Sequence, residues 1–77
     1  MKEFAIRLAC VQDVQEFVSL ATAKTFLVHV RDRYNEVNGK RFLEMFCMNF
    51  THPLTAVVAC GEEELGQIKS EMHKFLA

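Results

Sequence analysis

Phe4-Ala5-Ile6-Arg7-Leu8-Ala9-Cys10-Val11-Gln12-Asp13-Val14-Gln15-Glu16-Phe17-Val18 carries two hydrophobic periods placed end to end. Phe4, Ile6, Leu8 and Cys10 alternate with Glu3, Ala5, Arg7 and Ala9, the period of a half-buried strand. Val11, Val14, Phe17, Val18 and Ala21 then recur at three and four residues, the stripe of an amphipathic helix. The strand therefore runs directly into a helix beginning between Val11 and Asp13, and parity places Cys10 inward with Leu8. Asp13 and Glu16 have capping-box spacing. The helix fades between Thr22 and Lys24, where Thr25 opens a β-branched and aromatic run.

Phe26, Val28 and Val30 alternate with Leu27, His29 and Arg31, which predicts a second strand. Asp32-Arg33 reads as a turn, Tyr34 to Val37 as a short third strand, and Asn38-Gly39 as a turn dipeptide. Phe42, Met45, Phe46 and Asn49 share one helical face, so a short helix is expected from Arg41 to Met48. Thr51-His52-Pro53 breaks the chain, because a residue before proline avoids the helical region. Leu54 to Cys60 is a continuous β-branched and small apolar run suited to a central strand. Glu62, Glu63 and Glu64 follow Gly61, where negative charge favours the positive end of a helix dipole. Leu65, Ile68, Met72, Phe75 and Leu76 supply that helix with its buried face.

Strand, helix, strand, strand, helix, strand, helix is the order of an α+β open-faced sandwich. The expected fold is a four-stranded antiparallel sheet with three helices on one face. Right-handed crossovers place the last strand between the first two. No repeat or linker divides residues 1–77, so a single domain is expected.

Composition narrows the function. Nine Lys plus Arg stand against ten Asp plus Glu, with a formal net charge of −1, in a chain of 77 residues that is 51% apolar. That balance lacks the basic footprint nucleic-acid binding requires, so no nucleic acid is expected as partner. No apolar run approaches the length of a membrane span, and no membrane partner is expected. Met1-Lys2-Glu3-Phe4 does not read as a signal peptide, which makes the cytoplasm the expected compartment. Cys10, Cys47 and Cys60 are widely spaced and odd in number, unlike a disulfide framework or a zinc site. No metal and no cofactor is expected. His29, His52 and His73 show no metal spacing and none opens a helix.

The chain resembles the HPr family, the histidine-containing phosphocarrier proteins of the bacterial sugar phosphotransferase system, and in particular its short, divergent clostridial members. The resemblance is carried by Val11 to Val18, by Arg33-Tyr34-Asn35-Glu36-Val37-Asn38-Gly39-Lys40, by Met48-Asn49-Phe50-Thr51-His52-Pro53-Leu54, and by the acidic start of the last helix. It runs the full length, as a colinear whole rather than a single motif. The resemblance implies a phosphoryl-bearing histidine at the end of the first strand, held by helix amides and an arginine. In this register the family's histidine-threonine-arginine-proline run falls on Cys10, Val11, Gln12 and Asp13. The histidine and the arginine are both absent, and Asp13 adds a negative charge. Two unit charges about 4 Å apart interact by roughly 1 kcal/mol in water and about 4 kcal/mol at an effective dielectric near 20. The regulatory serine that the family carries at the start of the middle helix is replaced by Arg41.

The expectation is thus a degenerate, non-enzymatic HPr-like domain that binds a protein partner. The resemblance places docking on the middle helix and the start of the first helix. Candidate partner-binding residues are Gln12, Lys40, Arg41, Phe42, Met45 and Met48. Leu43 and Phe46 are assigned to the core, whereas Phe42, Met45 and Met48 are the candidates for exposure, rimmed by Lys40 and Arg41. An alternative makes Cys10 a phosphoryl or redox carrier in place of the family histidine. A homodimer through Phe42, Met45 and Met48 is a further possibility.

Overall fold

The computed structural model describes residues 1–48 and 50–77, so Asn49, expected on the face of the middle helix, lies outside the described residues. The elements are β1 (Lys2–Ile6), α1 (Val11–Thr22), β2 (Val28–Arg31), β3 (Glu36–Asn38), α2 (Phe42–Met45), β4 (Leu54–Val58), α3 (Glu62–Glu71) and a 3-10 turn at His73–Phe75. The strands form one sheet in the order β1-β4-β2-β3. Every pairing is antiparallel, and Ile6 faces Leu54 while Arg31 faces Thr55. The fold is the α+β open-faced sandwich expected, with the last strand between the first two.

Alternation along the strands decides which face is dry. Phe4 and Ile6, Val28 and Val30, and Leu54, Ala56 and Val58 point to one side and are buried. They join Val14, Phe17 and Ala21 of α1, Met45 of α2, Ile68 of α3, Met72 and Phe75 in one core. Phe17 and Phe75 meet edge to face at its centre, with ring centroids 6.4 Å apart. The opposite face carries Glu3, His29, Arg31 and Thr55 around the buried Val57. There Arg31 donates to Glu3 Oε1 at 2.9 Å, joining β2 to β1 across the intervening β4. Glu36 lies 3.3 Å from His29 Nδ1 and 3.9 Å from Arg31 Nη1.

Several boundaries differ from the sequence expectation, each for a local reason. β1 ends at Ile6 because the chain there turns to the C-terminal segment. Arg7 N donates to the Phe75 carbonyl at 2.7 Å, Ala77 N donates to the Ala5 carbonyl at 3.1 Å, and Ile6 forms a bridge with Leu76. β3 starts at Glu36 rather than Tyr34, since the turn takes four residues. Asp32 Oδ1 accepts from Tyr34 N at 2.8 Å and Asn35 N at 2.6 Å, and Asp32 N donates to the Asn35 carbonyl at 2.9 Å. Asn38-Gly39 turns the chain as expected, Arg41 N donating to the Asn38 carbonyl at 3.1 Å on the way into α2. Gly39 N donates to the Val28 carbonyl at 2.7 Å, extending the β2–β3 ladder by one bond.

At the start of α3, Glu64 Oε1 accepts from Gly61 N at 3.2 Å, and the acids occupy the first turn as expected. Ion pairs Lys2–Glu62, Lys24–Glu71 and Lys74–Glu16 tie the C-terminal elements to β1, to the segment after α1 and to α1.

Candidate functional site

The start of α1 and the segment after β1 are Ala9, Cys10 and Val11. They meet Phe46 and Phe50 around an apolar cleft of about 210 Å³, floored by Val14. Cys10 is the N-cap of α1 and is exposed, not inward as its parity implied. The physical reason is that the strand stops at Ile6. Leu8 keeps the alternation and is buried, but two residues later the chain is already turning into the helix. Val11, on the first turn, is 55% exposed, and Gln12 beside it is exposed as expected.

Asp13 does not cap the helix from its N-cap position. It sits inside the first turn, and its Oδ2 accepts from Ala9 N at 2.9 Å. Lys74, paired with Glu16, has its pKa raised above the ordinary value chiefly by that hydrogen bond. It also lies within electrostatic reach of Asp13 and Cys10. The opening of α1 therefore holds both signs of charge, and the cation comes from the C-terminal turn. No histidine lines the cleft among the described residues, which also hold no cluster of His, Cys, Asp or Glu able to bind a metal ion. His29 stands on the open sheet face, His52 in the loop before β4, and His73 in the 3-10 turn.

The middle helix reverses the sequence assignment of core and surface. Met45 is fully buried and Met48 is 5% exposed, so neither is available to a partner or to a dimer. Phe42 is half-buried and packs edge to face on Phe46 with centroids 4.7 Å apart. Leu43 is 81% exposed and Phe46 is 42% exposed, although both were expected in the core. Geometry explains the exchange. The regular helix ends at Met45, and the next bonds, Cys47 N to the Glu44 carbonyl and Met48 N to the Met45 carbonyl, span three residues. A period of three aligns Phe42, Met45 and Met48 on the inward side and turns Leu43 and Phe46 outward.

Lys40 and Arg41 also separate. Lys40 is half-buried, and its Nζ donates to the Lys24 carbonyl at 2.7 Å just beyond α1, so it closes a loop rather than rimming the cleft. Arg41 is the exposed N-cap of α2, with Nε 3.4 Å from Glu44 Oε2. Of the six residues proposed from sequence, Gln12 and Arg41 are exposed on these elements, whereas Lys40, Phe42, Met45 and Met48 serve packing or loop closure. Sequence reasoning missed Val11, Leu43 and Phe46. The available signal was the surplus of apolar residues in 42–50, which exceeds what one short helix hides.

Among the described residues, no helix is long and apolar enough to cross a membrane. No family model, curated protein or solved structure matches the chain.

Proposed function

We propose that this chain is a degenerate HPr-like domain acting as a non-catalytic protein-binding or regulatory module related to the bacterial sugar phosphotransferase system, working in the cytoplasm. One observation carries the reading. Val11 and Phe46 are apolar side chains left partly in solvent at an apolar cleft, and Leu43 adds a third exposed one on α2, so all three lie on the two segments that the resemblance marks for docking. Phe46 in the cleft lining supplies an aromatic anchor, and the exposed Arg41 and Gln12 supply polar groups at the starts of α2 and α1.

Affinity capture from extract of the native cell tests it, comparing wild type with a Leu43→Asp, Phe46→Asp double variant. A specific protein retained by wild type and lost by the variant is the expected result. Incubation with phosphoenolpyruvate and the general phosphotransferase enzyme is the companion test. Stable labelling of any histidine overturns the non-catalytic reading.

A second reading keeps Cys10 as a phosphoryl or redox carrier, favoured by its exposure at the opening of α1. Following Cys10 alkylation against pH discriminates the two. A midpoint near the free-thiol value of about 8.5 leaves the carrier reading without support.

A further inference from the structure

A second cavity, of about 330 Å³, lies apart from the α1–α2 cleft and shares no lining residue with it. Asp32, Arg33 and Tyr34 of the β2–β3 turn form one wall, and His52 and Pro53 of the loop entering β4 form the other. The pairing of Arg31 with Thr55 brings these two loops side by side at one end of the sheet. Asp32 is committed to the turn, its Oδ1 held by two backbone N–H groups, so that wall is a preformed frame. Arg33 and Tyr34 at its tip are exposed, Tyr34 to 82%. Among the described residues, Arg33 and His52 have no hydrogen bond or ion pair.

These groups share one chemistry. A guanidinium presents a rigid fork of N–H donors, and an imidazole adds a ring N–H from the facing loop. Together they suit a tetrahedral oxyanion with three acceptor oxygens better than a carboxylate with two. The exposed phenol ring offers a flat partner for stacking. A volume of about 330 Å³ lies at the small end of ligand pockets. The Asp32 carboxylate is the one anion in the lining, and the turn amides that it accepts from offset part of its charge. We propose that this cavity binds, noncovalently, a small phosphate monoester carrying a flat ring, about the size of a mononucleotide. Arg33 and His52 hold the phosphate and Tyr34 stacks on the ring.

An amide NMR titration of the whole chain with adenosine 5′-monophosphate, inorganic phosphate and adenosine, each to about 10 mM, tests the proposal. The monophosphate is expected to give saturable shifts at Asp32, Arg33, Tyr34 and His52, with a Kd about fivefold below that of phosphate. Arg33→Ala is expected to weaken both by about tenfold, and Tyr34→Ala to weaken only the monophosphate. Both side chains are exposed, so the dispersed spectrum of each variant reports that the fold is kept. Absence of saturable shifts at these residues overturns the proposal, as does adenosine binding as well as its monophosphate. An Arg33→Ala variant that binds like wild type overturns it too.

Discussion

The backbone of Gly39 lies against the ring of Phe17. A Cβ built on Gly39 would sit 3.2 Å from Phe17 Cε1 and 3.1 Å from both Cγ1 and the carbonyl oxygen of Val28. No glycine in the structure has positive φ, so this one is required by close approach and not by its torsion. Gly39→Ala is expected to destabilise the fold by about 1–3 kcal/mol, because the obstructing atoms include rigid backbone and a core ring. Urea unfolding of the two proteins checks this, and an unchanged midpoint contradicts the packing.

The inversion on α2 has its own test. Met45→Ala is expected to cost about 2–5 kcal/mol, as for truncation of a fully buried methionine. Leu43→Ala, two positions away on the exposed side, is expected to stay within about 0.5 kcal/mol. Thermal unfolding of both variants compares them directly. Equal losses would place Leu43 in the core.

If Phe46 anchors a partner, disturbing its surroundings at the exposed Leu43 is visible in binding and hardly in folding. A Leu43→Asp substitution beside it is expected to weaken capture of that partner by about thirtyfold, the scale of an interface hot spot. Surface plasmon resonance against the captured protein gives the ratio, with circular dichroism confirming an intact domain.

Stability toward acid is expected to decline through the Lys2–Glu62 pair. The hydrogen bond from Lys2 holds the Glu62 carboxyl below its ordinary 4.5. A carboxyl lowered on folding stabilises the native state above its unfolded value, and that contribution is lost as pH falls through the folded one. Lys2 is raised above 10.5, chiefly by the same bond, so its share is complete below that pH and lost as pH rises through the raised value. Glu62→Gln is therefore expected to be less stable than wild type near neutrality, with the gap closing under acid below the ordinary carboxyl range. The effect is small, since both groups are in solvent. Unfolding midpoints across the pH range measure it, and a gap that widens under acid contradicts the pairing.

Thiol reactivity should rank by position. Cys10 and Cys47 are exposed, whereas Cys60 is half-buried with its thiol pKa pushed up by burial and then by Glu64. Alkylation followed by mass spectrometry is expected to modify Cys60 last.

The sheet and helices were legible because their periods are long and undisturbed. Phe4-Ala5-Ile6 alternates, Val14 to Ala21 keeps one helical stripe, and Leu54 to Val58 is continuously apolar. The candidate site was harder to read because it lies where periods change. Cys10 follows the end of a strand, and Phe46 follows the end of a helix whose next turn tightens from 3.6 residues toward three. A face extrapolated across such a junction rotates by a fraction of a turn, enough to exchange Met48 for Phe46. Tyr34 was misplaced in the third strand for a different cause. The Asp32 carboxylate competes with the ladder for the amides of Tyr34 and Asn35.

The short pairing of Phe75–Ala77 along Arg7, Ile6 and Ala5 also shields an otherwise open flank of the sheet. An unprotected border strand is a template for intermolecular stacking, and the opposite border, β3, is only three residues long. Deleting those last residues would bare the Arg7 amide and the Ala5 carbonyl, leaving this flank open to strand-upon-strand accretion on storage.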